Sequence, residues 1–279
     1  MTKKIAFQGE LGANSHMACA EHFPDMEALP CASFEDAFAA VKSGEAALAM
    51  IPIENSVAGR VADIHHLLPE SELFIIGERF LRVRHQLLAP KGATMDTIKT
   101  VRSHVMALGQ CRGVIRQYGL KPEIAADTAG AAREVAESGD KTVAAIASSL
   151  AGEIYGLDTL KSDIEDAAHN TTRFIVMSPE HIMAPQGSGK VVTSFVFRVR
   201  NVPAALYKAM GGFATNGVNM TKLESYQIEG SFNATQFYAD IEGHPDDRLV
   251  QLAMEELAFF TSYVHILGTY PADPFREDM

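Results

Sequence analysis

Short apolar runs alternate with amphipathic stretches along the first part of the chain. Runs bounded by polar or glycine-containing loops predict buried strands, and stretches with apolar residues at helical spacing predict helices. The predicted strands are 3–8, 46–53, 73–76, 100–102, 124–126 and 143–147. The predicted helices are 15–23, 106–118, 129–137 and 149–155. This alternation indicates an α/β fold with a mainly parallel sheet covered on both faces.

The pattern changes after Val176. The segment 184–189 is rich in Pro, Gly and Ser, which predicts a domain boundary. The elements predicted beyond it are a strand at 191–199, a helix from 201–203 to about 213, strands at 218–228 and 231–241, a helix at 245–260 and a strand at 263–267. The order βαββαβ predicts a ferredoxin-like sandwich with its helices on one face.

Composition excludes several classes of partner. A content of 47% hydrophobic and 21% charged residues is typical of a globular protein, and a net charge of −11 argues against binding nucleic acid or an anionic membrane. The apolar run 5–7 is too short for a signal peptide, and no later run reaches membrane-spanning length. Three cysteines without a Cys-x-x-Cys pair predict reduced thiols and a cytoplasmic protein. The histidines lack metal-ligand spacing, so no metal site is expected.

One polar cluster stands immediately before an apolar run. The cluster is His169-Asn170-Thr171-Thr172-Arg173-Phe174, and the run is Ile175-Val176-Met177. Open α/β folds bind their ligands at strand ends, and an amide, a hydroxyl and a guanidinium together suit a small, oxygen-rich anion. Spacing alone favours a simpler interpretation, in which Thr172 merely begins a strand.

An ordered set of motifs resembles prephenate dehydratase, from Ile5 to about Pro271. The motifs are Ala6-Phe7-Gln8-Gly9 with Gly12 and Ser15, Ile51-Pro52-Ile53-Glu54-Asn55-Ser56 with Gly59, Ser103-His104 with Gln110-Cys111, Ala144-Ala145-Ile146-Ala147 with Tyr155-Gly156-Leu157, Asn170 with Thr172-Arg173-Phe174, Pro203 with Ala205-Leu206, Leu223-Glu224-Ser225, and Leu267-Gly268-Thr269-Tyr270-Pro271. Any one motif is weak, whereas the ordered set is specific.

The resemblance implies an enzyme of phenylalanine biosynthesis that converts prephenate to phenylpyruvate, water and carbon dioxide without a cofactor. It implies a two-lobed catalytic region, like type 2 periplasmic binding proteins, at 1–182, with lobe 1 at about 1–78 and 166–182 and lobe 2 at about 79–165. A linker at 183–189 and an ACT regulatory domain at 190–279 follow. The family's ACT module binds L-phenylalanine and pairs across a dimer, so we expect a homodimer or homotetramer.

Thr172 matches the family's catalytic threonine. An alcohol is too weak an acid to store a proton at pH 7, so its expected role is hydrogen-bond donation or relay. Arg173 is a candidate clamp for a substrate carboxylate. Neighbours in a regular strand point to opposite faces, so either residue 172 still lies in a loop or Arg173 braces the site from behind. We favour the cleft for Arg173.

The other candidate substrate-binding residues are polar side chains at strand ends and helix starts. They are Asn14, Ser15, Asn55, Ser56, His104, Gln110, Ser148 and Asn170. Asn14 or Ser15 is equally expected to cap the first helix, and capping is the favoured role of Ser148. Glu54 is expected to orient Asn55 or to pair with Arg60. After His104 the family continues Pro-Gln, whereas this chain has Val105-Met106.

The resemblance also implies a binding site for the effector L-phenylalanine. Its candidate residues are Asn201, Pro203, Ala204, Ala205, Leu206, Asn216, Asn219, Leu223, Glu224 and Ser225. The family's Gly-Ala-Leu is Ala204-Ala205-Leu206 here, and its Glu-Ser-Arg-Pro is Glu224-Ser225-Tyr226-Gln227. An added methyl can block close backbone approach, and tyrosine cannot replace the charge of arginine. These substitutions weigh against the control that the resemblance implies.

Two other functions remain open. Arogenate carries an ammonium group where prephenate has a keto group, and no residue excludes it as the substrate. The two-lobed fold also serves solute-binding and amino-acid-sensing proteins that catalyse nothing. The absence of a signal peptide weighs against transport, and the absence of a helix-turn-helix or basic face weighs against a regulator.

Overall fold

A computed structural model describes residues 2–61, 64–200, 202–227 and 236–277. The strands of these residues are β1 (Lys4–Gln8), β2 (Glu27–Cys31), β3 (Leu48–Asn55), β4 (Gly59–Arg60), β5 (Phe74–Arg82), β6 (Gln86–Ala89), β7 (Thr100–Ser103), β8 (Lys121–Ile124), β9 (Val143–Ala147), β10 (Asp158–Lys161), β11 (Thr171–Ser178), β12 (Val191–Val199), β13 (Met220–Tyr226), β14 (Gln236–Glu242) and β15 (Thr261–Pro271). The α-helices are α1 (Asn14–His22), α2 (Phe34–Lys42), α3 (Ile64–Leu67), α4 (Val105–Gln110), α5 (Arg112–Gln117), α6 (Thr128–Ser138), α7 (Ser149–Tyr155), α8 (Ala205–Thr215) and α9 (Arg248–Phe260). Short 3-10 helices cover Leu68–Glu70 and Pro274–Glu277.

The first sheet has the strand order β2-β1-β3-β11-β5, with β4 paired to β3. Strand β1 runs parallel to both of its neighbours, and its central residues Ile5, Ala6 and Phe7 are fully buried. Such a strand is apolar on both faces because the sheet is covered on both sides. Toward the carboxyl ends, polar side chains appear where these strands leave the core, at Gln8 of β1 and at Glu54 and Asn55 of β3.

The second sheet has the order β10-β6-β9-β7-β8. Strand β7 is parallel to β8 and β9, whereas β6 is antiparallel to β9 and β10. The prediction of a mainly parallel sheet is therefore wrong in detail, because the apolar run 87–89 forms a central antiparallel strand that was not predicted.

The third sheet is antiparallel, with the order β13-β14-β12-β15. Helices α8 and α9 contact each other, and residues of both share one core with the sheet. Phe195 and Phe197 of β12, Phe213 of α8 and Leu257 of α9 are buried in that core. The predicted βαββαβ sandwich is confirmed, and with the two preceding sheets it gives the predicted two-lobed α/β region followed by an ACT-like domain.

By contact density the chain divides into two compact units. The first comprises residues 1–60 and 80–174, and the second comprises 61–79 and 175–279. In the second unit the fully buried Glu78 carboxylate is paired with Arg276, and the His65 ring packs against Tyr226 and Tyr238. The lobe and linker boundaries drawn from the sequence stay a prediction.

Three elements have the bounds that the sequence predicts: β9, α7 and β12. The helix predicted at 106–118 is instead broken at Cys111, where φ is −122° and α5 starts again. The Asp166 carboxylate accepts the Arg112 and Gly113 N–H groups, each at 2.9 Å, and so caps the second piece. This cap comes from a distant loop, which local periodicity cannot reveal.

Strands β2 and β10 and helix α2 were also not predicted. Strand β2 lies at an edge of its sheet, where Pro30 needs no N–H partner. Among the described residues, every helix is too short or too polar to span a lipid bilayer.

Candidate functional site

The centre of the candidate site is the contact between Asn55 and Thr172. Asn55 is the last residue of β3 and Thr172 the second of β11. The Asn55 Nδ2 donates to Thr172 Oγ1 at 2.9 Å and to Asn170 Oδ1 at 2.8 Å. The Asn55 Oδ1 accepts the backbone N–H groups of Val57 at 2.9 Å and Ala58 at 2.7 Å. Because the oxygen side is held by two backbone donors, the amide cannot turn over.

This fixed amide decides the direction of the Thr172 hydroxyl. The Thr172 oxygen accepts from Asn55, and within the described residues its proton has no acceptor in hydrogen-bonding range. Thr172 is half-buried. A hydroxyl has one donor and two acceptor sites, so the proton is free to be donated to a bound ligand.

Ser56 holds the neighbouring backbone. Its Oγ donates to the His169 carbonyl at 2.7 Å and accepts from the Thr171 N–H at 2.9 Å. The Ser56 N–H donates to the Thr171 carbonyl at 2.8 Å. These contacts place the end of β3 beside the start of β11. Since the one proton of the Ser56 hydroxyl is already used, its geometry fits positioning of Thr172 better than donation to a ligand.

Asn170 and Gln110 continue the network away from Thr172. Asn170 is fully buried, and its Nδ2 donates to Gln110 Oε1 at 3.1 Å. The same oxygen lies 2.8 Å from His85 Nε2. Gln110 ends α4, and its backbone carbonyl accepts the Asp166 N–H at 2.7 Å. Of the candidates from the sequence, Asn55, Thr172, Asn170 and Gln110 therefore form one hydrogen-bonded chain.

Arg173 does not follow the orientation that we favoured. It is 3% exposed, and its NH1 donates to Glu54 Oε1 at 2.9 Å. Strand alternation explains the arrangement, because Asn55 and Thr172 meet on one face while their neighbours Glu54 and Arg173 meet on the other. Thr172 lies in the strand and not in a loop, so Arg173 braces the site from behind. Glu54 also lies opposite Arg60 in the register of β3 and β4.

The loop before α1 differs from its predicted role. The N-cap residue is Ala13, so neither Asn14 nor Ser15 caps the helix; both lie inside its first turn, half-buried, and make no side-chain hydrogen bond within the described residues. Their N–H groups point out of the helix start, where no intrahelical acceptor exists. Both residues therefore have side-chain and backbone donors to offer an anion.

The same loop contacts helices α6 and α7. Ser148 caps α7 by accepting the Ala151 N–H at 3.0 Å, and its hydroxyl donates to the Gly12 carbonyl. The expected capping role of Ser148 matches this geometry, and its donor is used. Arg133 donates to Glu10 through Nε at 2.9 Å and NH2 at 3.0 Å. The hydrogen bond from Arg133 lowers the pKa of Glu10.

His104 lies outside the network of Thr172 as far as the described residues show. Its Nδ1 accepts the Met106 N–H at 3.3 Å, so the side chain caps α4. The sequence singled out this histidine, but the buried imidazole that contacts the network is His85. Burial lowers the pKa of His85, against smaller raising effects of Gln110 and Glu165. His85 lies between Arg84 and Gln86, shortly after β5, and belongs to no motif that would draw attention to it.

The effector candidates lie in three parts of the ACT-like domain, with Asn201 outside the described residues. Pro203, Ala204, Ala205 and Leu206 lie at the start of α8, Asn216 and Asn219 follow its end, and Leu223, Glu224 and Ser225 lie in β13. Ala204 has φ +59°, a left-handed conformation that suits the family's glycine. Leu223 and Ser225 are exposed, whereas Glu224 is half-buried and pairs with Lys222 at 3.1 Å.

No group of three or more His, Cys, Asp or Glu side chains in the described ranges could hold a metal ion. The site is built instead from amides, hydroxyls and backbone donors. Such groups can bind an oxygen-rich anion and donate hydrogen bonds to it.

Comparison with known proteins identifies the family. A family model described as prephenate dehydratase matches residues 5–182. The chain is 52% identical over 273 residues to a bifunctional N-acyl-homoserine lactone acylase/prephenate dehydratase of Komagataeibacter europaeus, covering 98% of this chain and 97% of the relative. It is 37% identical to the chloroplastic arogenate dehydratase/prephenate dehydratase 2 of Arabidopsis thaliana, covering 97% of this chain and 73% of the relative.

A solved structure agrees with these relatives. The prephenate dehydratase of Arthrobacter aurescens in complex with L-Phe superposes with a TM-score of 0.87 at 30% identity, covering 96% of this chain and 89% of that one. The likeness extends over the ACT-like domain as well as the two preceding sheets. The chain therefore belongs to the prephenate dehydratase family.

Proposed function

We propose that this protein converts prephenate to phenylpyruvate, water and carbon dioxide. The observation that carries the proposal is the Thr172 hydroxyl, whose oxygen is held by Asn55 and whose proton is left for a ligand. Thr172 is the threonine of the motif that resembles the family's catalytic one. Family membership supports the substrate class, and the geometry supports the role of the hydroxyl.

The reaction needs a donor at the departing ring hydroxyl. The bond between the ring and its carboxylate breaks, and its electron pair enters the ring as carbon dioxide leaves. The C–O bond across the ring breaks with its pair on oxygen, which takes up one proton and departs as water. A hydrogen bond from Thr172 stabilises the negative charge that develops on this oxygen. The proton comes from solvent, since an alcohol is too weak an acid to supply one outright.

The substrate's remaining negative charge needs donors and no opposing carboxylate. We infer that Asn14, Ser15 and the first-turn N–H groups of α1 supply donors, as helix starts do for anions. Glu54 is close to the site, but its pairing with Arg173 neutralises the carboxylate. Arg173 thus assists the binding of a dianion without contacting it.

Turnover of the two related substrates tests this function. The purified protein should release phenylpyruvate from prephenate at neutral pH, and arogenate assayed in parallel gives the ratio of kcat/KM that decides the preference. No product from either substrate would contradict the proposal. Calorimetric binding of prephenate without turnover would instead support the solute-binding alternative.

We also propose L-phenylalanine as an effector. The structural relative was solved in complex with L-Phe, and its likeness to this chain extends over the ACT-like domain. L-phenylalanine should lower turnover and raise Tm, because a ligand of the folded state stabilises it. D-phenylalanine is the control. If L-phenylalanine changes neither the turnover nor Tm, the proposed regulation is absent, as the substitutions at positions 204, 226 and 227 would explain.

A second activity is proposed from one relative. The bifunctional acylase/prephenate dehydratase is 52% identical over nearly its whole length, so N-acyl-homoserine lactone hydrolysis is the candidate. The assay measures release of homoserine lactone from the acylated compound. Loss of both activities in Thr172→Ala would indicate one shared site, and an unchanged acylase activity would indicate a separate site. No release by the wild type would exclude the second activity.

A further inference from the structure

A buried imidazole terminates the hydrogen-bonded chain that begins at Thr172. The chain runs from Thr172 through Asn55, Asn170 and Gln110 to His85. His85 is 3% exposed, and its ring is hydrogen-bonded to Gln110 and not to Thr172. Its backbone is also held, because the N–H donates to Glu165 Oε2 at 2.9 Å and the carbonyl accepts the Ile164 N–H at 2.9 Å. The ring is therefore a fixed end point for the chain.

Each link of this chain has only one direction. The backbone bonds of Asn55 leave its nitrogen for Asn170 Oδ1, so Asn170 turns its own nitrogen to Gln110. The Gln110 Oε1 receives that donor and also lies 2.8 Å from His85 Nε2. An amide oxygen only accepts, so His85 must carry a proton on Nε2.

The same logic determines what Gln110 can offer a substrate. Its oxygen is occupied by Asn170 and His85, and within the described part of the chain its amide nitrogen has no acceptor. Gln110 is half-buried. Its two N–H bonds are therefore available to an anion bound beside Thr172. Without the His85 donor only the longer hydrogen bond from Asn170 holds this oxygen. The amide can then turn its oxygen toward the substrate, where it repels a carboxylate.

We propose that His85 is a positioning residue for the dehydration, acting through Gln110. Its Nε2–H fixes the Gln110 amide with the nitrogen toward the substrate and keeps Asn170 and Asn55 in register with Thr172. The kinetic consequences of this inference rest on the proposed function. The predicted His85 tautomer rests on the hydrogen-bond chain alone. Burial, which lowers the pKa of His85, keeps the ring neutral near pH 7.

Two variants distinguish the effect of the His85 hydrogen-bond donor from the effect of its ring volume. His85→Gln retains an N–H near the position of Nε2, whereas His85→Phe fills a similar volume without a donor. We expect kcat/KM for prephenate to fall at least ten-fold in His85→Phe and to stay within about three-fold of the wild type in His85→Gln. Leu87→Val, a buried change in the adjacent strand β6, is the control for lost packing and should keep wild-type kcat/KM. A folded His85→Phe with full activity would overturn the proposal.

A double variant tests whether His85 acts through Gln110. In the Gln110→Leu background, His85→Phe should reduce kcat/KM by no more than about two-fold further, because the link is already absent. Losses that multiply in the double variant would show that His85 acts elsewhere.

The tautomer gives a readout that needs no turnover. Nitrogen-15 NMR of the wild type at pH 7 should show His85 neutral with its proton on Nε2. A proton on Nδ1 or a charged ring would contradict the inference, whatever the enzyme does. If the wild type fails to convert prephenate while the tautomer is as expected, the proposed function fails and the hydrogen-bond assignment stands.

Discussion

At the scale of single residues, one amide has two separate tasks. The oxygen of Asn55 holds the following turn, and its nitrogen holds the Thr172 hydroxyl. Asn55→Asp keeps the acceptor for the turn but replaces the donor by a carboxylate oxygen, which attracts the Thr172 proton away from a substrate. We expect kcat to fall at least ten-fold and Tm to fall as well, because the new oxygen also faces the buried Asn170 Oδ1 that the amide nitrogen holds at 2.8 Å. Thermal unfolding and steady-state kinetics of the purified variant check this, and an unchanged kcat would show that the orientation of Thr172 does not matter.

Ala204 permits a prediction about stability. Its φ of +59° is unfavourable for a residue with a Cβ atom. Ala204→Gly should raise the free energy of unfolding by about 0.5 kcal/mol, because relief of the strain exceeds the added entropy of the unfolded chain. Urea unfolding measures the difference. A lower stability in the glycine variant would contradict the conformation described for this turn.

The sequence predicts which residues belong to the site better than it predicts the directions in which their side chains point. Thr172, Asn55, Asn170 and Gln110 are polar residues beside apolar runs, so the sequence could single them out. The turning of Arg173 toward Glu54 depends on the register between β3 and β11, which neither segment contains alone. The role of His85 depends on the position of the Gln110 side chain in the same way.

At the scale of elements, the loop between β1 and α1 packs tightly against α7. A Cβ atom added to Gly12 would lie 2.8 Å from the Ala151 Cα, and Gly12 has φ +90°. Backbone atoms cannot move aside as a flexible side chain can. The loop therefore requires glycine for two independent reasons, its conformation and its closeness to α7.

A matched pair of glycine variants distinguishes the cost of the backbone conformation from the cost of the close approach to α7. Gly139 has φ +62° but no atom within 4 Å of an added Cβ. Gly139→Ala should cost about 1 kcal/mol, and Gly12→Ala at least about 1 kcal/mol more, because the second change adds a steric clash. The clash should also lower kcat/KM, since Asn14 and Ser15 follow directly. Equal destabilisation of the two variants in urea would contradict the close packing.

Elements were predictable where their signals are local. Strand β9 and helix α7 have the predicted bounds because an apolar run and a serine N-cap lie in the sequence itself. The break between α4 and α5 could not be predicted, because Asp166 caps α5 from 54 residues further along the chain.

At the scale of the whole molecule, the sheet of the ACT-like domain has two edges that pair with no further strand among the described residues. Strands β13 and β15 end its four-stranded sheet, and unpaired edges of this kind favour association with another chain. We expect a homo-oligomer formed through residues 190–279. Light scattering at micromolar concentration should give a mass at least twice the 30.2 kDa of one chain. A mass of one chain would contradict this expectation.

The most direct test of the account is the turnover of prephenate by the wild type, Thr172→Ser and Thr172→Ala. The account predicts phenylpyruvate from the wild type, a kcat at least ten-fold lower in Thr172→Ala with little change in Tm, and much of the activity kept in Thr172→Ser, because only alanine removes a hydrogen bond made in the transition state. A kcat of Thr172→Ala equal to that of the wild type would contradict it.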